Sequence, residues 1–175
     1  MVECGEIYLP LQRFDTNCPD TVENIRFIGN IEGRVDAKGR VFLPAVFRKV
    51  LQQTGSERMV VRQDVFQQCL VLYPEAVWNR RLDELTATLS RWNRQHQQVL
   101  RQYYRDAEEV VLDASGRFML TRHHQTQAAI DQDVRFIGMG DTIELWAREK
   151  SDQPFMQPDD FAQAMEAAMQ QTATL

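Results

Sequence analysis

An α+β fold, mainly β, built from two copies of one short unit is what the sequence predicts. The pentapeptide DAKGR, Asp36–Arg40, returns 77 residues later as DASGR, Asp113–Arg117. The flanks repeat with it. IEGRV leads into the first copy and EEVVL into the second, and apolar triplets follow, Val41-Phe42-Leu43 and Phe118-Met119-Leu120. A turn alone can recur by chance; a turn with both flanking strands points to duplication. Between the copies, apolar residues recur at alternating four- and three-residue steps, the period of helix.

Each copy reads strand, turn, strand, short helix, strand, turn, strand. In the first, the turn is followed by PAVFRKVLQQTG and then by two β-prone runs, MVVRQD and QCLVLYP. In the second, TRHHQTQAAIDQ precedes VRFIGMG and TIELWA. The turn has a mechanism. Asp36 and Asp113 can each accept a hydrogen bond from the backbone N–H two residues on. Gly39 and Gly116 stand where a tight hairpin needs positive φ. Pro44 suits the first turn of a helix, and Thr121, its counterpart, suits an N-cap.

The inter-copy segment places Trp78, Leu82, Leu85, Leu89, Trp92, His96, Val99 and Tyr103 on one seam. Its unbroken phase favours one long helix packed on the core. Thr86, Thr88, Ser90 and Asn93 are poor interior helix formers, so a pair broken near Ser90–Asn93 is the alternative. Residues 151–175 begin with a Pro-punctuated linker; a short helix after Asp159-Asp160 is one reading and a frayed end the other.

Composition narrows the function. The formal charge is −5 over 175 residues, which by itself argues against nucleic acid. Its distribution argues the other way. Residues 34–49 hold Arg34, Lys38, Arg40, Arg48 and Lys49 against Asp36 alone. Residues 1–24 hold five acids against Arg13. The three cysteines, Cys4, Cys18 and Cys69, lack CxxC spacing, and an odd count does not make a disulfide framework. No apolar run is long enough to span a bilayer. The first residues lack the basic and apolar regions of a secretory signal, so a reducing cytoplasm is expected.

No catalytic constellation is present: no G-x-S-x-G, no Walker loop, no H-E-x-x-H. No enzymatic activity, cofactor or small-molecule substrate is expected. Gly138-Met139-Gly140 reads as a hairpin turn rather than a phosphate cradle. His123 and His124 are adjacent and point apart, so no metal site is expected. Cys69, in an apolar strand, reads as a small buried hydrophobe. The basic hairpin is the feature with chemistry. A two-stranded ribbon carrying Arg34, Lys38 and Arg40 fits a DNA major groove, where arginine binds guanine O6 and N7. The alternative is a solvated hairpin whose arginines pair with Asp36 and Glu32.

The segments FIGNIEGRVDAKGRVFLPAVFR, CLVLYPEAVW, DASGR and FIGMGDTIELWA together resemble the MraZ family of bacterial transcriptional regulators, over about residues 26–148. The resemblance implies two SpoVT/AbrB-like, swapped-hairpin repeats that interlock as a pseudo-dimer, with helices between them. It implies ring-shaped homo-oligomers in the cytoplasm and nucleoid. These would bind tandem short repeats in double-stranded promoter DNA of the division and cell-wall gene cluster, as repressors. No membrane partner is implied. Mapped onto this sequence, the family's D-x-x-G-R signature falls on Asp36, Gly39 and Arg40, and on Asp113, Gly116 and Arg117. Arg34, Lys38, Arg40 and Arg117 become the DNA-binding positions. Val111, Ser115 and Thr121 replace Arg34, Lys38 and Pro44 in the second copy, which shifts that copy towards completing the fold.

The expected organisation is an N-terminal extension, 1–25, disordered and outside the family pattern; repeat 1, 26–78; an inter-repeat helix or helix pair, 79–105; repeat 2, 106–148; and a C-terminal tail, 149–175. Residues 1–24 are expected to be dispensable, with translation starting near Ile25. Two rival functions remain. One is an antitoxin-like DNA-binding protein of the same fold. The other is a structural ring whose arginines make subunit salt bridges and never touch DNA.

Overall fold

The two copies exchange strands. The structure, a computed structural model, describes residues 26–172. The first copy supplies β1 (Asn30–Arg34), β2 (Arg40–Phe42), α1 (Ala45–Gln52), β3 (Arg58–Gln63) and β4 (Leu70–Pro74). The helices α2 (Glu75–Thr88) and α3 (Arg94–Arg105) follow. The second copy supplies β5 (Ala107–Val111), β6 (Arg117–Met119), α4 (Arg122–Gln127), β7 (Asp133–Gly138) and β8 (Ile143–Ala147), and the chain ends in α5 (Arg148–Ser151) and α6 (Pro158–Thr172). One antiparallel sheet runs in the order β1-β7-β8-β4-β3-β5, and β2 pairs with β6 in a separate two-stranded ribbon.

Replacing every strand by its counterpart in the other copy returns the same sheet order reversed. A pseudo-two-fold axis therefore relates the repeats. It passes between Val41 and Phe118, which face each other across the ribbon, and between Val71 and Glu144, which face each other across β4 and β8. The expected interlocked pseudo-dimer is what the chain forms. The strand lengths explain why. β2 and β6 are three residues each, too short to bury a face alone, and each covers its one inward residue, Val41 or Phe118, with the other. β4 is buried along its whole length. That fits the continuous apolar run LVLY: a strand covered on both faces has no reason to alternate.

The GMG segment leads from the end of β7 into the β7–β8 hairpin turn, as expected of a turn segment, and it adds a constraint. Phe27 and Gly140 exchange backbone hydrogen bonds, at 2.6 and 3.1 Å. A Cβ on Gly138 would lie 2.5 Å from the Phe27 carbonyl. Gly138→Ala should therefore push the first strand off the sheet edge and cost about 1–3 kcal/mol, as overpacking does. Thermal denaturation of the purified variant measures it.

Of the two inter-copy readings, the favoured single helix gives way to the broken pair. The break falls at Leu89–Asn93, where the Asn93 side chain accepts from the backbone N–H groups of Gln95 and His96 and starts α3 as an N-cap. A cap offered inside the seam outweighs the unbroken apolar phase. The core-packing reading holds for Trp78, Leu82 and Tyr103 and fails at the break. Trp78 is buried, with its ring stacked on Tyr103 at 5.3 Å and edge-on to Tyr73 at 5.5 Å. Trp92, at the break, is 98% exposed. At the C-terminal end the helical reading holds over the frayed one, since residues 158–172 form α6. Cys69 is fully buried, and burial pushes its thiol well above the ordinary range. The extension 1–25 lies outside the described residues. Among the described residues, no helix is long and apolar enough to cross a membrane.

Candidate nucleic-acid interface

Both signature turns fold through the same carboxylate. Asp36 Oδ1 accepts from the backbone N–H groups of Lys38 (2.8 Å) and Arg40 (2.9 Å), and its Oδ2 accepts from Arg40 Nε at 2.7 Å. Asp113 does the same for Ser115 (2.8 Å), Arg117 (3.0 Å) and Arg117 Nε (2.8 Å). The backbones close identically, with the Asp36 N–H donating to Arg40 O and the Gly39 N–H donating to Asp36 O, both at 2.9 Å. Gly39 and Gly116 adopt φ of +81° and +78°, the region glycine enters without strain. The Asp, Gly and Arg of the motif are thus one hydrogen-bonded device. It makes the turn, and it also orients the arginine.

The carboxylates carry the electrostatic mark of this. The Arg40 backbone N–H and then its guanidinium hold Asp36 down to about 2; the Arg117 backbone N–H, first among its partners, lowers Asp113 likewise. A carboxyl depressed in the folded chain stabilises it above the unfolded value and loses that contribution as pH falls through the folded one. Both turns should hold from neutral pH down to about pH 4; the first should loosen between about pH 4 and 2 as Asp36 protonates, and the second should loosen below about pH 4. Carbon-13 NMR titration of the two side chains measures this directly, and Asp36→Asn should shift the acid limb of unfolding upward.

The turns sit at opposite ends of the β2–β6 ribbon. Its outward face presents Arg40 and Phe42 on one strand and Arg117 and Met119 on the other, paired Arg40 to Met119 and Phe42 to Arg117. The Arg117 guanidinium lies 5.5 Å from the Phe42 ring. Phe42 and Met119 are more than half exposed. Lys38 projects from the first tip with no acidic partner among the described residues. Arg34, on β1, donates to Gln132 at 2.7 Å and approaches Asp133 at 3.6 Å, with 70% of its side chain exposed. The four basic positions expected from the sequence are therefore distributed along one ribbon and its flank. Arg40 and Arg117 pair with the turn carboxylates; Glu32 pairs elsewhere, with Arg135 and Arg148.

Sequence reading missed how the turns differ in support. Arg48, on α1, lies over the second turn: its Nη1 donates to Ser115 O at 3.2 Å, and a Cβ on Gly116 would clash with that nitrogen. Its counterpart at the same 77-residue offset is Gln125, which donates to Leu120 O at 2.9 Å beside Gly39. The second turn is clamped by a guanidinium. The first borders an open cleft of about 970 Å³ lined by Lys38, Thr121, Arg122 and Gln132 among others. The repeat offset was the signal that would have found this, because in an interlocked pair each helix supports the other copy's turn. Thr121 does cap α4, accepting from the His124 N–H.

The description "MraZ protein, putative antitoxin-like" belongs to a family model that matches this chain twice, over residues 27–102 and 103–172. The chain is 52% identical to the transcriptional regulator MraZ of Phocaeicola vulgatus, over 83% of this chain and 94% of that protein. It is 51% identical to the protein of that name from Bacteroides thetaiotaomicron, over 83% and 93%. It is 35% identical to the one from Anaeromyxobacter dehalogenans, over 73% and 88%. Two tandem matches, two interlocked repeats and two copies of the Asp-x-x-Gly-Arg turn say the same thing, and the chain belongs to the MraZ family.

Proposed function

We propose that this chain is a transcriptional regulator that binds double-stranded DNA in a sequence-specific way and represses a division and cell-wall gene cluster from tandem short repeats in its own promoter. The observation that carries the reading is the braced arginine on an exposed ribbon. Asp36 engages the Nε and Nη2 of Arg40 through one oxygen. A guanidinium has five N–H donors, so three remain. They are held in a fixed plane, and the rotamer entropy of a free arginine is already spent. A ribbon of two strands fits the major groove. There Arg40 would take guanine O6 and N7, Phe42 or Met119 would meet a thymine methyl, and Lys38 and Arg34 would take phosphates.

The two turns divide the work on this reading. Turn 1 has Lys38, Arg34 and an open flank; turn 2 has Ser115, Val111 and the Arg48 clamp. Repeat 1 reads DNA and repeat 2 completes the fold, with Arg117 a lesser contact. No catalytic step is assigned. The working form is a ring-shaped homo-oligomer in the cytoplasm, at the nucleoid. Arraying the turns along a ring edge would offset the net acidity of each chain and match evenly spaced boxes.

The test is retention of the promoter fragment of the chain's own operon in a gel-shift series at rising salt. Phosphate contacts release counterions, so affinity should fall steeply as salt rises. A flat response would favour the structural ring. The antitoxin reading keeps one observation in its favour, the description of the family model; a small toxin co-purifying at equal stoichiometry would support it.

A further inference from the structure

Helix α3 carries an arginine stripe that the turns do not use. At the period of an α-helix, Arg94, Arg101 and Arg105 fall within about 40° of one another. Leu100 and Tyr104 run beside them. The end of α2 and the break face this strip with Leu89 and Arg91, which with Leu100, Arg101, Tyr104 and Arg105 frame a groove of about 610 Å³; Arg94 continues the stripe beyond its lining. Among the described residues, none of the four arginines has an acidic partner. Trp92, 98% exposed, stands at the same tip.

Helix α6 is the complement. Residues 158–170 are exposed throughout. Phe161, Met165 and Met169, at i, i+4 and i+8, form an apolar stripe exposed by 57, 46 and 69%. The helix holds Asp159, Asp160 and Glu166 and no Lys or Arg. Asp159 and Glu166 border the stripe on one side, seven residues apart. That is about 10 Å along a helix, the same spacing as Arg94 and Arg101 on α3.

We propose that α6 of one copy docks in the α2–α3 groove of a second copy. A chain's own α6 is placed to reach outward instead. α5 packs on β7 and β8, the Trp146 and Phe155 rings meet at 4.7 Å, and Arg135 binds Asp152 at 2.7 Å. α2 packs on β3 and β4, the half across the pseudo-two-fold axis. Groove and helix are different surfaces, so the contact is head-to-tail, the kind that closes into a ring when the rotation allows. Phosphate binding by the same arginines would leave Leu89, Leu100, Tyr104 and the apolar side of α6 unused. The inference deepens the homo-oligomer reading above and rests on it.

Light scattering of the full-length chain at micromolar concentration tests it, on wild type, Arg94→Glu/Arg101→Glu, Asp159→Lys/Glu166→Lys, and the chain combining all four. Wild type should have a mass several times the 20.4 kDa of one chain. Each reversed pair should lower that mass at unchanged circular dichroism and melting temperature, and the combined chain should restore it. Co-expressed copies bearing Tyr104→Cys and Met165→Cys separately, in a Cys4→Ser/Cys18→Ser background, should cross-link to each other. Wild-type mass kept by both reversed chains overturns the groove and leaves the oligomer standing. Loss of DNA retention at unchanged mass overturns it too, assigning the stripe to phosphate. A wild-type monomer overturns the oligomer reading itself.

Discussion

Arg40→Ala should lower affinity for the promoter fragment by about 5- to 150-fold per engaged turn, the worth of one bidentate arginine–guanine contact. Several turns engaged on tandem boxes would multiply the loss. The substitution removes more than a base contact. Asp36 Oδ2 would lose the Nε it accepts at 2.7 Å but keep two backbone donors through Oδ1, so the turn should loosen without unfolding. Lys at position 40 separates the two effects: it keeps the charge but loses the planar fork, and should recover non-specific but not specific binding. Arg117→Ala breaks an equivalent brace at 2.8 Å, in a turn also held by Arg48. It should cost clearly less affinity on the same fragment. Equal losses from the two substitutions, at matched stability, would refute the division of labour between the repeats.

Phe118→Ala should be the most destabilising of the substitutions considered, by about 3–5 kcal/mol. Phe118 is 2% exposed and lies on the pseudo-two-fold axis opposite Val41. Truncating it leaves a cavity at the one inward-facing pair of β2 and β6, and both turns hang from those strands. Met119→Ala, one residue along and 51% exposed on the ribbon face, should stay within about 0.5 kcal/mol of wild type, as surface changes do. Chemical denaturation of the two variants checks the pair. A mild Phe118→Ala would mean that the ribbon is not a stability element, and that the turns are positioned by the main sheet alone.

The repeat made most of the fold legible. Strand, turn and short helix recur in register because the Asp-x-x-Gly-Arg turn is set by local hydrogen bonds, and a local rule can be read from local residues. The family resemblance then supplied the interlocking. Residue patterns alone did not show that β1 would pair with β7 or β3 with β5, since an exchange between copies leaves each strand's own alternation unchanged. The inter-copy break was legible only as an alternative, for a different reason. The apolar phase runs unbroken from Trp78 to Tyr103, yet Asn93 caps a new helix, and Trp92 faces solvent where the seam predicts burial.

At the candidate site, the residue types were legible and their partners only in part. Arg40 with Asp36 was an open alternative to DNA contact; the pairing is present, and on the proposed reading the brace that holds the arginine also aims it. The Arg48 clamp was not read at all. It is a contact between helix and turn from different copies, 67 residues apart in sequence, and only the exchanged topology brings them together.

Fluorescence anisotropy of the wild-type chain and of Arg34→Val/Lys38→Ser, on the same promoter fragment over a salt series, tests the central claim that the first turn reads DNA. The double variant gives turn 1 the residues of turn 2 at these positions. Each lost phosphate contact should flatten the slope of log affinity against log salt by about 0.9. The account predicts a wild-type slope steeper by about 2 for every turn engaged, with weaker binding by the variant at all salt concentrations. Identical slopes and affinities for the two proteins would contradict it.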